Sequence, residues 1–292
     1  MTKAEPGSIQ AIIPDTKNNK LILSVEDMSS VKTSKFNSLF GTEKDFLAFI
    51  PKISTKLEAD TTNYGDPFPS GSLIQSNTHG CTAGYFGDNQ ANQVVLVTAG
   101  HCANVGSTEA WYQPWTEDPK IGNWTFRTTS SNSDGSDAVG DAGYITLTSR
   151  GGNPRVPYPN SSTLIPYTGV YTSDMVGDTV YLRGAFTGAL SAGVITHSNV
   201  LIWWGNSGYG YENNLVFVQS YASIGGDSGG PILTDYAWDN SKGSYTFDLA
   251  GTHVGVATFK DNQYIPDGAY KVYNPIWRSY TDLNLDSIYV VH

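Results

Sequence analysis

The chain is short of cations, of cysteine and of long apolar runs. Lys and Arg together number 17 against 27 Asp and Glu, a formal net charge of −10 over 292 residues. Nucleic acid and anionic membrane surfaces both call for a basic patch, and the sequence holds none, so neither is expected as a partner. No apolar stretch approaches the roughly 20 residues of a membrane-spanning helix. The opening MTKAEPGSIQ has no apolar core of about 7 to 15 residues of the kind that marks a secretory leader. A leader has either been removed or is not used. Cysteine occurs only as Cys81 and Cys102. A structural zinc site needs four ligands, and no second CxxC or HxxxH accompanies this pair, so no metal is expected. The two cysteines form one disulfide or remain two buried thiols, and the disulfide would imply an oxidising compartment.

Gly (31), Tyr (18) and Trp (7) are plentiful, and short apolar runs alternate with Gly, Asn, Ser and Asp, which favours β structure. From about Leu73 onward these runs recur at regular spacing: GCTAGYF, QVVLVTAG, AGYITLT, DTVYLRG, AGVITHS, VLIWWG, NLVFVQS, GPILTD and YTFDLAGTHVGVATF. That spacing predicts antiparallel barrels or sandwiches. GGNPRVPYPNSSTLIPYTG, rich in Pro and Asn, reads as a connection between two sheets, and the last residues as including a short helix. Residues 1–58 differ from the rest. There, two alternating runs flank the turn signal PDTKNN, a helix is expected from Ser29/Ser30 to Gly41, and Phe46 to Ile53 reads as a third strand. Residues 59–72 read as a linker or processing region with no core of its own.

Residues 221–234 read YASIGGDSGGPILT, a serine among glycines. A serine hydroxyl is a weak nucleophile at neutral pH, so a reactive Ser228 needs a base, a group that orients the base, and an oxyanion site. VLVTAGHC delivers His101 at the end of an apolar run. DAVGDAGYITL delivers Asp141 just before an alternating one, with Asp137 as a rival. The chain order His101, Asp141, Ser228 differs from the other two common triad orders.

TAGHC and GDSGGP together resemble the two signature motifs of chymotrypsin-fold serine peptidases. The resemblance implies a mainly β fold of two antiparallel six-stranded β-barrels, barrel one about 73–155 and barrel two about 170–292, with the triad between them. GDTVYLRGAFTGALSAGVIT is similar to the bacterial streptogrisin and α-lytic branch through Gly177, Val180, Gly184, Thr187, Gly188, Gly193 and Val194. GAYKVYNPIW followed by LNL resembles the C-terminal end of that branch. The first 58 residues resemble the C-terminal part of its pro-region, which implies an intramolecular inhibitor or folding helper. By the same resemblance, His101 is the general base, Asp141 orients it, Ser228 attacks, and the N–H groups of Gly226 and Ser228 form the oxyanion hole. Cys81 and Cys102 would match the family disulfide. The implied protein is a secreted, monomeric endopeptidase acting on proteins or peptides, without cofactor or metal. The competing readings are a pseudo-protease used for binding and a latent form.

Several positions depart from the branch. Asp227 would be buried and needs a partner. The Arg expected two residues before Gly184 is Leu182, with Arg183 one place on, and a shift of one residue on a strand changes the face. Ile224 stands where a second disulfide is expected. Ala222 and Ser223 make an uncharged pocket floor, which disfavours cleavage after Arg or Lys. His253, in a Gly-x-His pattern like that of glutamyl endopeptidases, would bind an acidic side chain with help from Ser223. Alternatively it packs beneath the pocket and leaves an apolar preference. His79, His197 and His292 carry no partner pattern, and the glycosylation sequons at Asn123 and Asn160 matter only in a eukaryotic secretory host.

Overall fold

A computed structural model describes residues 9–15, 20–25, 47–51, 61–129, 139–159, 161–203, 211–259 and 267–292. The chain divides into two compact units, Met1–Lys56 and Leu57–His292. In the first, β1 (Ile9–Asp15) pairs antiparallel with β2 (Lys20–Val25), and β2 pairs parallel with β3 (Leu47–Pro51). A parallel pair requires a crossover connection, for which the residues between β2 and β3 are numerous enough. The helix expected within that stretch lies outside the described residues.

The second unit is built on two curled eight-stranded sheets. Along the chain come β4 (Phe68–Pro69), β5 (Leu73–Gln75), β6 (Gly80–Thr82), β7 (Tyr85–Asn89), β8 (Val94–Thr98), β9 (Ala110–Tyr112), β10 (Lys120–Arg127) and β11 (Gly143–Leu147). Next are β12 (Gly152–Asn153), β13 (Arg155–Pro157), β14 (Leu164–Val170), β15 (Thr179–Arg183), β16 (Leu190–Trp203) and β17 (Tyr211–Gln219). The chain ends with β18 (Pro231–Asp239), β19 (Ser244–Phe259), β20 (Gly268–Pro275), helix α1 (Ile276–Asp282) and β21 (Leu285–Ile288). The first sheet runs β21-β7-β8-β11-β10-β9-β5-β6. In the second, β20 pairs with both β17 and β19, which closes β15, β16, β17, β20, β19 and β18 into a ring.

The six-stranded ring matches the expected barrel, and two additions extend the sheets beyond it. The segment read as a connection supplies β13 and β14, which join the ring from outside through a parallel β14–β19 pairing. Pro157 is tolerated because β13 is an edge strand, where a missing N–H breaks no interior ladder. The C-terminal tail also crosses back. After α1 at the end of the second sheet, β21 pairs with β7 of the first. Part of the expected linker is core as well: Phe68 is fully buried and meets Phe86 edge-on, with ring centroids 5.3 Å apart.

β8 shows why its sequence is a continuous apolar run rather than an alternation. Leu96 faces the core of the first sheet with Trp111, Ile121 and Trp124. Val95 and Val97 face a second cluster shared with Tyr167, Leu233, Phe247 and Leu249 of the other sheet. Both faces are buried, so no polar residue is called for between Val94 and Val97. The strand that delivers His101 is thereby clamped between two cores.

Candidate active site

The chain leaves β8 through a tight turn, Gly100–Cys102, that carries His101. A Cβ on Gly100 would run into Asp141 and the Ala142 carbonyl, so glycine here is what lets the carboxylate approach. Asp141 Oδ1 accepts the backbone N–H of His101 at 2.9 Å, and Oδ2 lies 2.6 Å from His101 Nδ1. On the far side of the ring, Nε2 is 2.8 Å from Ser228 Oγ. A carboxylate only accepts, so the neutral ring carries its proton on Nδ1 and presents Nε2 as an acceptor to the Ser228 hydroxyl.

Asp141 is itself fixed by its neighbours. Ala142 N–H donates to Thr128 Oγ1, whose hydroxyl reaches the Gly140 carbonyl. Gly140 N–H donates to Asp282 Oδ2 at 2.7 Å, and that carboxylate pairs with Arg278 at 2.7 Å on α1. Asn274 Nδ2 donates to the Asp141 carbonyl at 3.4 Å. Asp137, the rival, lies outside the described residues. Burial opposes charge on both members of the His101–Asp141 pair. Even so, their mutual attraction and hydrogen bond raise the His101 imidazole above its ordinary value and hold Asp141 below the usual carboxylate range. The buried Arg127 guanidinium also favours the Asp141 anion and works against protonation of His101.

Ser228 sits in a loop shaped by left-handed glycines, Gly226 at φ +97° and Gly229 at φ +83°. At Gly229 a Cβ would overlap Thr98 Oγ1, so no other residue fits between the loop and β8. The loop is tied to both sheets. Thr82 N–H donates to the Ser228 carbonyl at 2.9 Å, Gly229 N–H to the His253 carbonyl at 2.7 Å, and His253 N–H to the Gly230 carbonyl at 2.8 Å. Among the described residues no acceptor takes the N–H of Gly226 or of Ser228, which leaves both donors available to an incoming oxygen. Cys81 and Cys102 form a disulfide that joins β6 to the turn bearing His101.

Asp227 resolves differently from the branch pattern. β15 pairs with β16 without a register shift, so no bulge brings Arg183 back to the face of Leu182. Leu182 packs in the apolar interior of the ring. Arg183 is buried on the other face, its Nε donating to the Pro157 carbonyl at 3.0 Å and its Nη1 to the Gly184 carbonyl. Asp227 instead accepts three backbone N–H groups, from Phe186 (2.9 Å), Thr187 (3.0 Å) and Ile224 (2.9 Å). Burial still pushes its carboxyl above the ordinary value.

Of the residues expected at the pocket, Ala222 donates its N–H to Ser191 Oγ at 2.8 Å, and Ser223, like Ser228, is half-buried. His253 is fully enclosed. Its Nδ1 lies 3.0 Å from the Tyr221 hydroxyl, and the ring also hydrogen-bonds the Val272 backbone. Burial, and then the positive charge of Lys271, lower its pKa to about 3. His253 is therefore neutral, with its polar atoms engaged inside the protein. Among the described residues no group of side chains could hold a metal ion, and no helix is long and apolar enough to cross a membrane. Sequence reasoning missed Thr128, Asn274 and Asp282 around Asp141, and it missed Lys271, whose Nζ reaches 3.5 Å from the Ser223 carbonyl. The one available signal for Lys271 was a cation between two apolar residues in Tyr-Lys-Val.

No protein-family model matches the chain, and neither does any curated protein. Solved structures do. Protease A of Thermobifida fusca is 21% identical, with a TM-score of 0.55 over 76% of this chain and 98% of its own. A serine protease described as glutamic-acid-specific, using a histidine triad in substrate binding, matches at 21% identity and TM-score 0.55 over 76% and 100%. Nocardiopsis protease matches at 19% and 0.53 over 75% and 97%. At these identities the likeness speaks to the fold, which is that of the chymotrypsin-like serine proteases.

Proposed function

We propose that this chain is a secreted serine endopeptidase, made as a zymogen, that hydrolyses peptide bonds through an acyl-enzyme. The observation that carries the proposal is the unbroken line from Asp141 through His101 to Ser228, with contacts of 2.6 and 2.8 Å. In the forward step Ser228 Oγ bonds to the peptide carbonyl carbon while its proton passes to His101 Nε2. Asp141 steadies the imidazolium. The carbonyl oxygen, now an anion, takes the N–H groups of Gly226 and Ser228, each worth on the order of 3 kcal/mol in the barrier. His101 then gives its proton to the departing amine as the C–N bond breaks. Water repeats the sequence: it adds to the acyl carbon, its proton goes to His101, and Ser228 leaves with that proton returned.

Secretion is supported by the disulfide and by the bacterial proteases that share the fold. In the zymogen reading residues 1–58 inhibit or help fold the peptidase, and cleavage falls between residues 55 and 66. An acidic preference is supported by the glutamic-acid-specific neighbour, while the enclosed His253 argues against that imidazole as the group that meets the substrate.

The test is a fluorophosphonate probe applied to the full chain and to Ser228→Ala, with hydrolysis of a peptide library read by mass spectrometry. Labelling and hydrolysis are expected in the first and neither in the second. Hydrolysis retained by Ser228→Ala, or no labelling of the parent after prolonged incubation, refutes the reading. A binding-only protein would take up no probe.

A further inference from the structure

Against the loop that carries Ser228 lies a cation, Lys271, that the proposed triad does not use. On β20, alternation sends Tyr270 and Val272 to one face, and both are buried in a cluster with Leu215, Phe217 and Val254. Lys271 takes the other face, in register with Val256 on β19. Its Nζ extends to the Ser223 carbonyl at 3.5 Å. Ser223 belongs to the loop that carries Ser228, and Val256 follows closely on Val254, whose carbonyl is 3.3 Å from Ser228 Oγ. Lys271 therefore bridges the two segments that flank the nucleophile.

The ammonium is incompletely satisfied. Lys271 is half-buried, its Nζ makes one long hydrogen bond, to a carbonyl, and among the described residues no carboxylate pairs with it. The two buried acids of the site are committed elsewhere, Asp141 to His101 and Asp227 to three backbone N–H groups. In a chain with a net charge of −10, acid partners are abundant, so a half-buried Lys kept clear of them leaves room for an anion from outside. One observation narrows that anion: it must reach the Ser223 carbonyl that Lys271 Nζ contacts, on the loop that carries Ser228.

We propose that Lys271 is the specificity-determining residue of this site, pairing with the carboxylate of a Glu or Asp side chain immediately before the bond to be cut. The proposal rests on the serine peptidase reading and gives that reading its substrate class. The substrate carboxylate takes the place of the Ser223 carbonyl as partner of the ammonium, and the Ser223 hydroxyl is at hand for a second hydrogen bond. His253 becomes a supporting residue: neutral and bonded to Tyr221 and Val272, it shapes the floor without adding a second positive charge that Lys271 would repel.

The experiment compares kcat/KM of the full chain for peptides that differ only in having Glu, Gln, Leu or Lys before the scissile bond. It is repeated with Lys271→Met, Lys271→Arg and Lys271→Glu, and the fluorophosphonate labelling rate is followed throughout. The parent should favour Glu over its neutral isostere Gln by at least about 30-fold, the lower range for a desolvated charge pair. Lys271→Met should erase that ratio with little change for Leu, Lys271→Arg should keep most of it, and Lys271→Glu should turn the preference toward Lys. A parent that labels and cleaves but treats Glu and Gln alike overturns the proposal and leaves the peptidase reading intact. So does a Lys271→Met variant that labels at the parental rate and keeps the Glu preference. A parent that neither labels nor cleaves overturns both. If Lys271→Met fails to fold, as judged by lost labelling, Lys271→Arg against Lys271→Glu decides through the sign of the preference.

Discussion

His253 offers a measurable link between burial and stability. Its folded pKa is lowered to about 3 by burial and then by Lys271, whereas an unfolded histidine titrates near 6.5. Between those values the unfolded chain binds a proton that the folded chain refuses, so stability rises with pH across the window. The contribution is fully present above about pH 6.5 and is lost progressively as pH falls toward 3. Each unit costs about 1.4 kcal/mol, so descent from pH 7.5 to 5 removes about 2 kcal/mol through this residue. His101 titrates in the same range with opposite sign, because its folded pKa is raised, and the two must be separated. Urea unfolding of Ser228→Ala, which prevents self-digestion, is therefore compared with Ser228→Ala/His253→Gln at both pH values. The stability gap between the two proteins should shrink by about 2 kcal/mol at pH 5, since only the first has the imidazole to protonate. A gap that is unchanged, or wider, at pH 5 would refute the enclosed, neutral His253.

The His101–Asp141 pair, in its proposed role, yields a second expectation. Because Asp141 raises the His101 pKa, the acid limb of kcat/KM should fall above pH 6.5, and Asp141→Asn should move the limb down in pH while lowering kcat by roughly 10⁴-fold; pH–rate profiles of both proteins check this. At Gly184 a Cβ would overlap the Asp227 carboxyl group, so Gly184→Ala should push Asp227 off the Phe186 and Thr187 N–H groups. An overpacking cost of about 1 to 3 kcal/mol in stability and at least a roughly tenfold loss in kcat/KM are expected, read by urea titration and steady-state kinetics.

How much was legible in the sequence depended on whether the relevant contacts are local. His101 and Ser228 stand in short stretches whose glycines have steric reasons visible in the fold, Gly100 beside Asp141 and Gly229 against Thr98, so pattern and geometry coincide. The strands from Leu73 onward were legible for the same reason, through runs bounded by turn residues. β13, β14 and β21 were not, because each is made a strand by a partner far along the chain: β14 by β19, β21 by β7. Phe68 was read as linker because its neighbours are polar or proline, yet one aromatic ring with a slot against Phe86 outweighs them. Lys271 was hidden most completely, since its meaning depends on a register with Val256 and a contact to Ser223 that no local pattern encodes.

The arrangement around Asp227 bears on how the proposed zymogen would be controlled. Where a buried carboxylate beside the nucleophile waits for a charged partner, the oxyanion loop can stay disordered until that partner is created. Here the carboxylate is already held by Phe186, Thr187 and Ile224, none of which depends on a newly made amino terminus. Gly226 keeps its left-handed conformation, and the line from Asp141 to Ser228 is assembled within the second unit. Three backbone donors also cost less to organise than a buried ion pair, whose two charges must both leave water. In the proposed zymogen, latency then comes from something that occupies the substrate's path rather than from a loop that has yet to fold, because the proposed base and nucleophile already stand in line.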